Sequence, residues 1–82
     1  MTISILYFAA VRDLVGKAEE RLELPAGVTT IDALASHLVA IHPELEGRLA
    51  PVRFARNEEF ATMRDPVAPG DVIALIPPVA GG

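Results

Sequence analysis

The sequence predicts an α+β fold, a mixed sheet of four to five strands with one main helix packed on one face. Three observations lead there. The first two segments alternate in polarity with a period of two, the middle segment carries apolar residues at helical spacing, and short extended segments divided by Pro and Gly follow it. The element order is then β-β-α-β-β-β.

Thr2 to Ala9 reads as the first strand, with Ile3, Ile5 and Tyr7 on one row and Ser4, Leu6 and Phe8 on the other. Ala10 to Val15 suits one or two helical turns closed by Gly16. Lys17 to Leu24 alternates again, with Ala18, Glu20, Leu22 and Leu24 opposite Glu19, Arg21 and Glu23. Glu20, on that mainly apolar row, is expected near the strand's frayed end. Thr30 is the expected N-cap of a helix from Ile31 to about Ile41, with Ile31, Leu34, Ala35, Leu38 and Ile41 forming its apolar stripe. Asp32 falls in the first turn, where the helix dipole favours an anion, and Pro43 ends the helix. Leu45 and Leu49 are expected to tuck a loop or short helical turn under the sheet edge.

Val52 to Asn57 reads as the third strand, and Glu59 to Thr62 as a short fourth after an Asn57-Glu58 turn. Pro69-Gly70 turns the chain into Asp71 to Ile76, a strand apolar on both rows. Such a strand belongs at the centre of the sheet, as a parallel partner of the first. A hairpin, a helix across one face and a return beside the first strand make the β-grasp arrangement. Residues 1–76 form that domain and 77–82 an extended tail.

A single helix covers one sheet face only. With Ile3, Ile5, Tyr7, Ile73 and Leu75 turned toward it, Leu6, Phe8, Val72, Ala74 and Ile76 face outward, and Phe60 can join them. Either this is an exposed apolar patch of the kind that marks a partner surface, or the loop from Pro43 to Pro51 folds over it.

Composition narrows the function. The 82 residues suffice for one domain, and 51% hydrophobic content excludes a disordered acidic chain. Seven Lys and Arg against eleven Asp and Glu give a net charge of −4, which argues against nucleic-acid binding. The absence of Cys rules out a disulfide scaffold, a zinc knuckle or a thiol nucleophile on this chain. His37 and His42 are five apart and diverge on a helix, so they form no metal-ligand pair, and no metal is expected. Adjacent Glu58 and Glu59 face opposite ways on a strand and read as a solvated turn. Arg48, Arg53, Arg56 and Arg64 read as solvated beside Glu58, Glu59 and Asp65, with an acidic partner surface as the alternative. No apolar run approaches a membrane span, and no basic segment precedes the apolar start, so a cytoplasmic protein with no membrane contact is expected.

The chain closes with Pro77-Pro78-Val79-Ala80-Gly81-Gly82. Pro77-Pro78 favours a stiff, extended exit. Gly81 and Gly82 make a thread without side chains, able to enter a narrow channel, with the Gly82 carboxylate as the reactive group at its tip. A carboxylate must be activated before it reacts, most simply as an acyl adenylate. No GxxxxGK[ST] or GxGxxG motif is present to bind ATP, so a separate enzyme is required and no cofactor is expected on this chain.

PPVAGG after Gly70-Asp71-Val72-Ile73-Ala74-Leu75-Ile76 resembles the C-terminus of the MoaD-type sulfur carriers, the small subunits of molybdopterin synthase. The similarity extends to Leu6-Tyr7-Phe8-Ala9, to Val11-Arg12-Asp13-Leu14-Val15-Gly16 and to Asn57-Glu58-Glu59-Phe60, and so covers the whole chain. Ala80 stands where many members have Ser or Thr, and Leu75-Ile76 where some have aromatics. The resemblance implies a ubiquitin-like β-grasp fold. It implies that a MoeB-type enzyme consumes ATP to adenylate Gly82, which is then converted to a thiocarboxylate. It further implies that the tail enters a MoaE-type large subunit, within a heterotetramer, and gives sulfur to cyclic pyranopterin monophosphate. By the same resemblance Phe60 and Ile76 match partner-contact positions, with Phe8 and Arg12 nearby. The rival functions are a thiamine-type sulfur carrier, a protein modifier joined through Gly82 and a passive β-grasp interaction domain. Lys17 is the only lysine, which disfavours chain-building modifiers.

Overall fold

A computed structural model describes residues 1–78. Period-two patterning produces β1 (Thr2–Tyr7), and Ile3, Ile5 and Tyr7 are buried as one row. The strand stops two residues short of the expected Ala9. Phe8 is extended and acts as N-cap, its carbonyl accepting from the Val11 and Arg12 N–H groups, and α1 (Ala9–Val15) begins at once. Gly16, at φ 86°, closes α1 in the left-handed conformation that glycine adopts without strain. β2 (Glu19–Glu23) pairs antiparallel with β1.

The main helix α2 (Ile31–Ile41) has the expected bounds. The Thr30 hydroxyl accepts from the Ala33 N–H at 3.2 Å, while the Ile31 and Asp32 N–H groups donate to the carbonyls of Asp65 and Met63. The helix start is thus capped by the Thr30 side chain and by the loop that holds Met63 and Asp65. Ile31, Leu34 and Leu38 are fully buried, but Ile41 is 40% exposed and leaves the predicted stripe. The chain turns away at His42, and Leu45, in a short 3-10 helix (Pro43–Leu45), is the buried side chain that follows.

β3 (Arg53–Arg56), β4 (Glu59–Ala61) and β5 (Val72–Ile76) complete a sheet of order β2-β1-β5-β3-β4. β5 lies at the centre, parallel to β1 and antiparallel to β3. The core is the layer between the sheet and α2, where Ile3, Ile5, Leu34, Leu38, Ile73 and Leu75 meet. Leu45 joins this core and Leu49 packs partly against it, so the 43–51 segment lies on the helix side and not across the outer face.

Glu20 is not at a frayed end. Its carboxylate accepts from the Tyr7 hydroxyl at 2.5 Å, lies 2.6 Å from His42 Nε2 and 3.6 Å from Lys17 Nζ. Burial pushes the Glu20 carboxyl up, but the hydrogen bonds from Tyr7 and His42 outweigh it and hold the carboxyl below its ordinary value. Burial, then the bond to Glu20, pushes the Tyr7 hydroxyl far up. Edge strand β2 is thereby fastened to β1 and to the end of α2.

Glu20→Ala should lower stability by about 1–3 kcal/mol, because it leaves the Tyr7 hydroxyl without its acceptor. The Glu20 contribution is present above the ordinary carboxyl value of 4.5 and is lost as pH falls through the lower native value. Urea unfolding at pH 7 should therefore separate the variant from the parent, and at pH 3 the gap should narrow.

Candidate functional site

The outward rows of four strands form an open groove of about 440 Å³. Its floor is Leu6 of β1, Ala55 of β3 and Val72 and Ala74 of β5; Phe8, Phe60 and Ile76 stand along its sides. Ala55 is small enough to lie flat, which leaves the depression between the larger residues. Phe60 is 60% exposed and Phe8 44%, high values for aromatic side chains on a small domain.

Sheet register fixes the orientation of the groove. β1 and β5 run parallel, with Tyr7 beside Leu75, so Phe8 and Ile76 come together at one end. A smaller depression lined by Phe8, Ala9, Ile76 and Pro77 continues from there. Pro77 and Pro78 then border a third hollow between α1 and the loop around Arg48. The base of the tail therefore starts at the end of the groove. Arg12 is exposed on α1 and does not line the groove. Val79, Ala80, Gly81 and Gly82 lie outside the described residues.

The opposite end is the β3–β4 hairpin. Asn57 and Glu58 have φ of 51° and 73°, the paired left-handed conformation of a tight two-residue hairpin turn. Asparagine tolerates that conformation, whereas glutamate is strained in it. Asp71 holds the turn in place. It accepts from Arg56 Nε at 2.6 Å, from Asn57 Nδ2 at 3.0 Å and from the Ala68 N–H at 2.7 Å. Asn57 Oδ1 in turn accepts from the Val72 N–H at 2.9 Å. Burial alone would push the Asp71 carboxyl up, but these hydrogen bonds, led by that of Arg56, hold it below its ordinary value.

The sequence reading did not identify this Asp71 hub. Its signal was row parity: Asp71 shares the inward row with Ile73 and Leu75, where a carboxylate must find donors. The expectation of solvated arginines is corrected at Arg56, whereas Arg53 is exposed as expected. Arg56 is paired with Asp71, and the Arg53 guanidinium lies over the Phe60 ring, 3.8 Å from its centroid. Among the described residues there is no cluster of three or more His, Cys, Asp or Glu able to hold a metal ion, and no helix long and apolar enough to cross a membrane.

These features define a ubiquitin-like β-grasp protein with an exposed apolar sheet face beside its C-terminal tail. The chain belongs to the ThiS family, whose model matches residues 5–82, and within it stands with the MoaD-type sulfur carriers. It is 40% identical to the molybdopterin synthase sulfur carrier subunit of Chlamydomonas reinhardtii, covering 100% of both chains. It is 35% identical to small archaeal modifier protein 1 of Haloferax volcanii, over 92% of this chain and 94% of that one. The crystal structure of SAMP1 from Haloferax volcanii superposes with a TM-score of 0.88 at 30% identity, covering 100% of each chain.

Two neighbouring substitutions on β5 test the assignment of faces. Leu75 is fully buried, so Leu75→Asp should unfold the domain. Ile76 lies on the outward row, where an Asp keeps contact with water, so Ile76→Asp should retain a cooperative thermal transition within a few degrees of the parent. Circular dichroism melts of the two variants check both outcomes.

Proposed function

We propose that this chain is the sulfur carrier subunit of a molybdopterin synthase and that it acts through the carboxylate of Gly82. The observation that carries the reading is the exposed apolar groove at the root of a tail whose sequence closes in Gly81-Gly82. The names of its relatives support the same role. The groove docks the chain on a protein partner, and the slim tail carries the reactive group into that partner's active site.

In this reading the Gly82 carboxylate attacks the α-phosphorus of ATP on a separate MoeB-type enzyme, releasing pyrophosphate and forming the acyl adenylate. A sulfur nucleophile displaces AMP and leaves a thiocarboxylate. The chain then docks on a MoaE-type large subunit, and the thiocarboxylate attacks cyclic pyranopterin monophosphate. Hydrolysis frees the carboxylate for another cycle, and two sulfur transfers complete the dithiolene. Gly81 and Gly82 keep the tip narrow, Pro77 and Pro78 stiffen its base, and Phe8, Phe60 and Ile76 supply apolar contact, while Arg12, exposed on α1 outside the groove, offers a charged contact. The chain binds no cofactor of its own; ATP is consumed by the activating enzyme.

The likeness to small archaeal modifier protein 1 favours a second reading, conjugation of Gly82 to amino groups of other proteins. Both readings share the adenylation step. They separate at the product: a thiocarboxylate that supports molybdopterin formation, or stable conjugates on target proteins.

Incubation with ATP, the adenylating enzyme and a sulfide source should shift the intact mass by the replacement of one oxygen with sulfur. A chain extended by one residue beyond Gly82 should show no shift while melting as the parent does. Sulfur transfer by the extended chain would refute the carboxylate mechanism. Gly81→Val should fold normally and be activated slowly, because a β-branched residue restricts and widens the thread. In calorimetric titrations with the large subunit, Ile76→Asp should weaken binding about a hundredfold or more, equivalent to roughly 3 kcal/mol.

A further inference from the structure

The outer sheet face carries a cation and an anion, Arg53 beside Phe60 and Glu58 on the hairpin turn, that form no ion pair among the described residues. Arg53 leads the outward row of β3, directly across from Ile76, where the tail begins. Its guanidinium lies over the Phe60 ring, a contact that restricts the side chain without using its N–H donors. Among the described residues no carboxylate lies within 4.0 Å of it, whereas Arg56 on the same strand is neutralised by Asp71 at 2.6 Å. A cation held on an apolar face stands out in a chain whose net charge is −4.

Glu58 is the anion. It is exposed, lines the groove and sits at φ 73°, a conformation that glycine would adopt without strain. Among the described residues no cation lies within 4.0 Å of its carboxylate. Docking that covered either group without an opposite charge would remove it from water uncompensated.

We propose that this docking face is electrically polarised and reads a complementary partner: a protein surface with a carboxylate opposite Arg53, near where the tail enters, and a cationic side chain opposite Glu58. The proposal rests on the face being the docking surface for the large subunit. The two charges set which way round the partner sits, and so where the tail is aimed.

The test is titration of the purified large subunit of molybdopterin synthase from the same organism with the full chain at 50 and 300 mM salt. Arg53→Glu and Glu58→Lys should each weaken binding at least tenfold at 50 mM, with smaller losses at 300 mM, and leave the melting temperature near that of the parent. Arg53→Gln, which keeps a polar side chain without charge, should lose less than Arg53→Glu and should flatten the salt dependence. Parent-like affinity for either reversal overturns the polarity. Should both reversals bind normally while Ile76→Asp does not, the face is a docking surface without charge reading; the proposed function then stands and this inference fails. An unaltered chain that does not bind the large subunit removes both.

Discussion

β5 is apolar on both rows, and only one of its faces has a helix to lie against. This constraint organises the molecule. As the central strand, β5 has backbone partners on both edges, so it can hold Ile73 and Leu75 against α2 without leaving a strand edge open. The same alternation sends Val72, Ala74 and Ile76 to the other side, where no element among the described residues covers them. The core and the groove are thus two sides of one strand. A substitution that polarised the outward row would remove the groove while costing the core little.

Polar groups are kept at the borders of this arrangement and are satisfied there. Glu20 and Asp71 both lie on inward-facing rows, and each finds donors from neighbouring elements: Tyr7 and His42 for the first, Arg56, Asn57 and the Ala68 N–H for the second. Among the described residues no buried side-chain nitrogen or oxygen lacks a partner. The two hubs are separate, Glu20 on edge strand β2 and Asp71 at the start of central strand β5. Glu20 ties down the β2 edge away from the groove, while Asp71 fixes the hairpin that forms the groove's far end. The second latch therefore links stability to the shape of the outer face.

Much of this was legible in the residues. Row parity gave the inward and outward faces, and the apolar character of both rows of β5 gave its central, parallel place. The bounds of α2 followed from Thr30 and Pro43, whose effects on a helix end are local. What was missed depends on contacts between distant segments. Nothing within residues 17–24 marks Glu20 as the acceptor for Tyr7 and His42, because His42 reaches it only after the chain has crossed the sheet. Arg53 and Phe60 are stacked because β3 and β4 pair with Ala55 beside Phe60, a register that the turn sets and that composition does not display. The early end of β1 is a third case: the switch at Phe8 and Ala9 is made by carbonyl acceptance into α1, with Ala9 at φ 48°, and alanine gives no sign of it.

The shared strand also restricts how docking and delivery can be related. Ile76 ends β5 and Pro77 follows it directly, so a partner that grips Ile76 fixes the origin of the tail to within about one residue length, roughly 3.5 Å. Gly82 lies six residue steps beyond Ile76, and covalent geometry limits that span to about 20 Å. Under the proposed function, the acceptor site must lie within that radius of the apolar contact. The two prolines narrow the directions available at the start, and the two glycines relax them at the tip. In that reading the groove and the tail of fixed length act together as a ruler. In that same reading the sheet sets where the partner sits, and the tail length sets how deep in the partner the carboxylate acts.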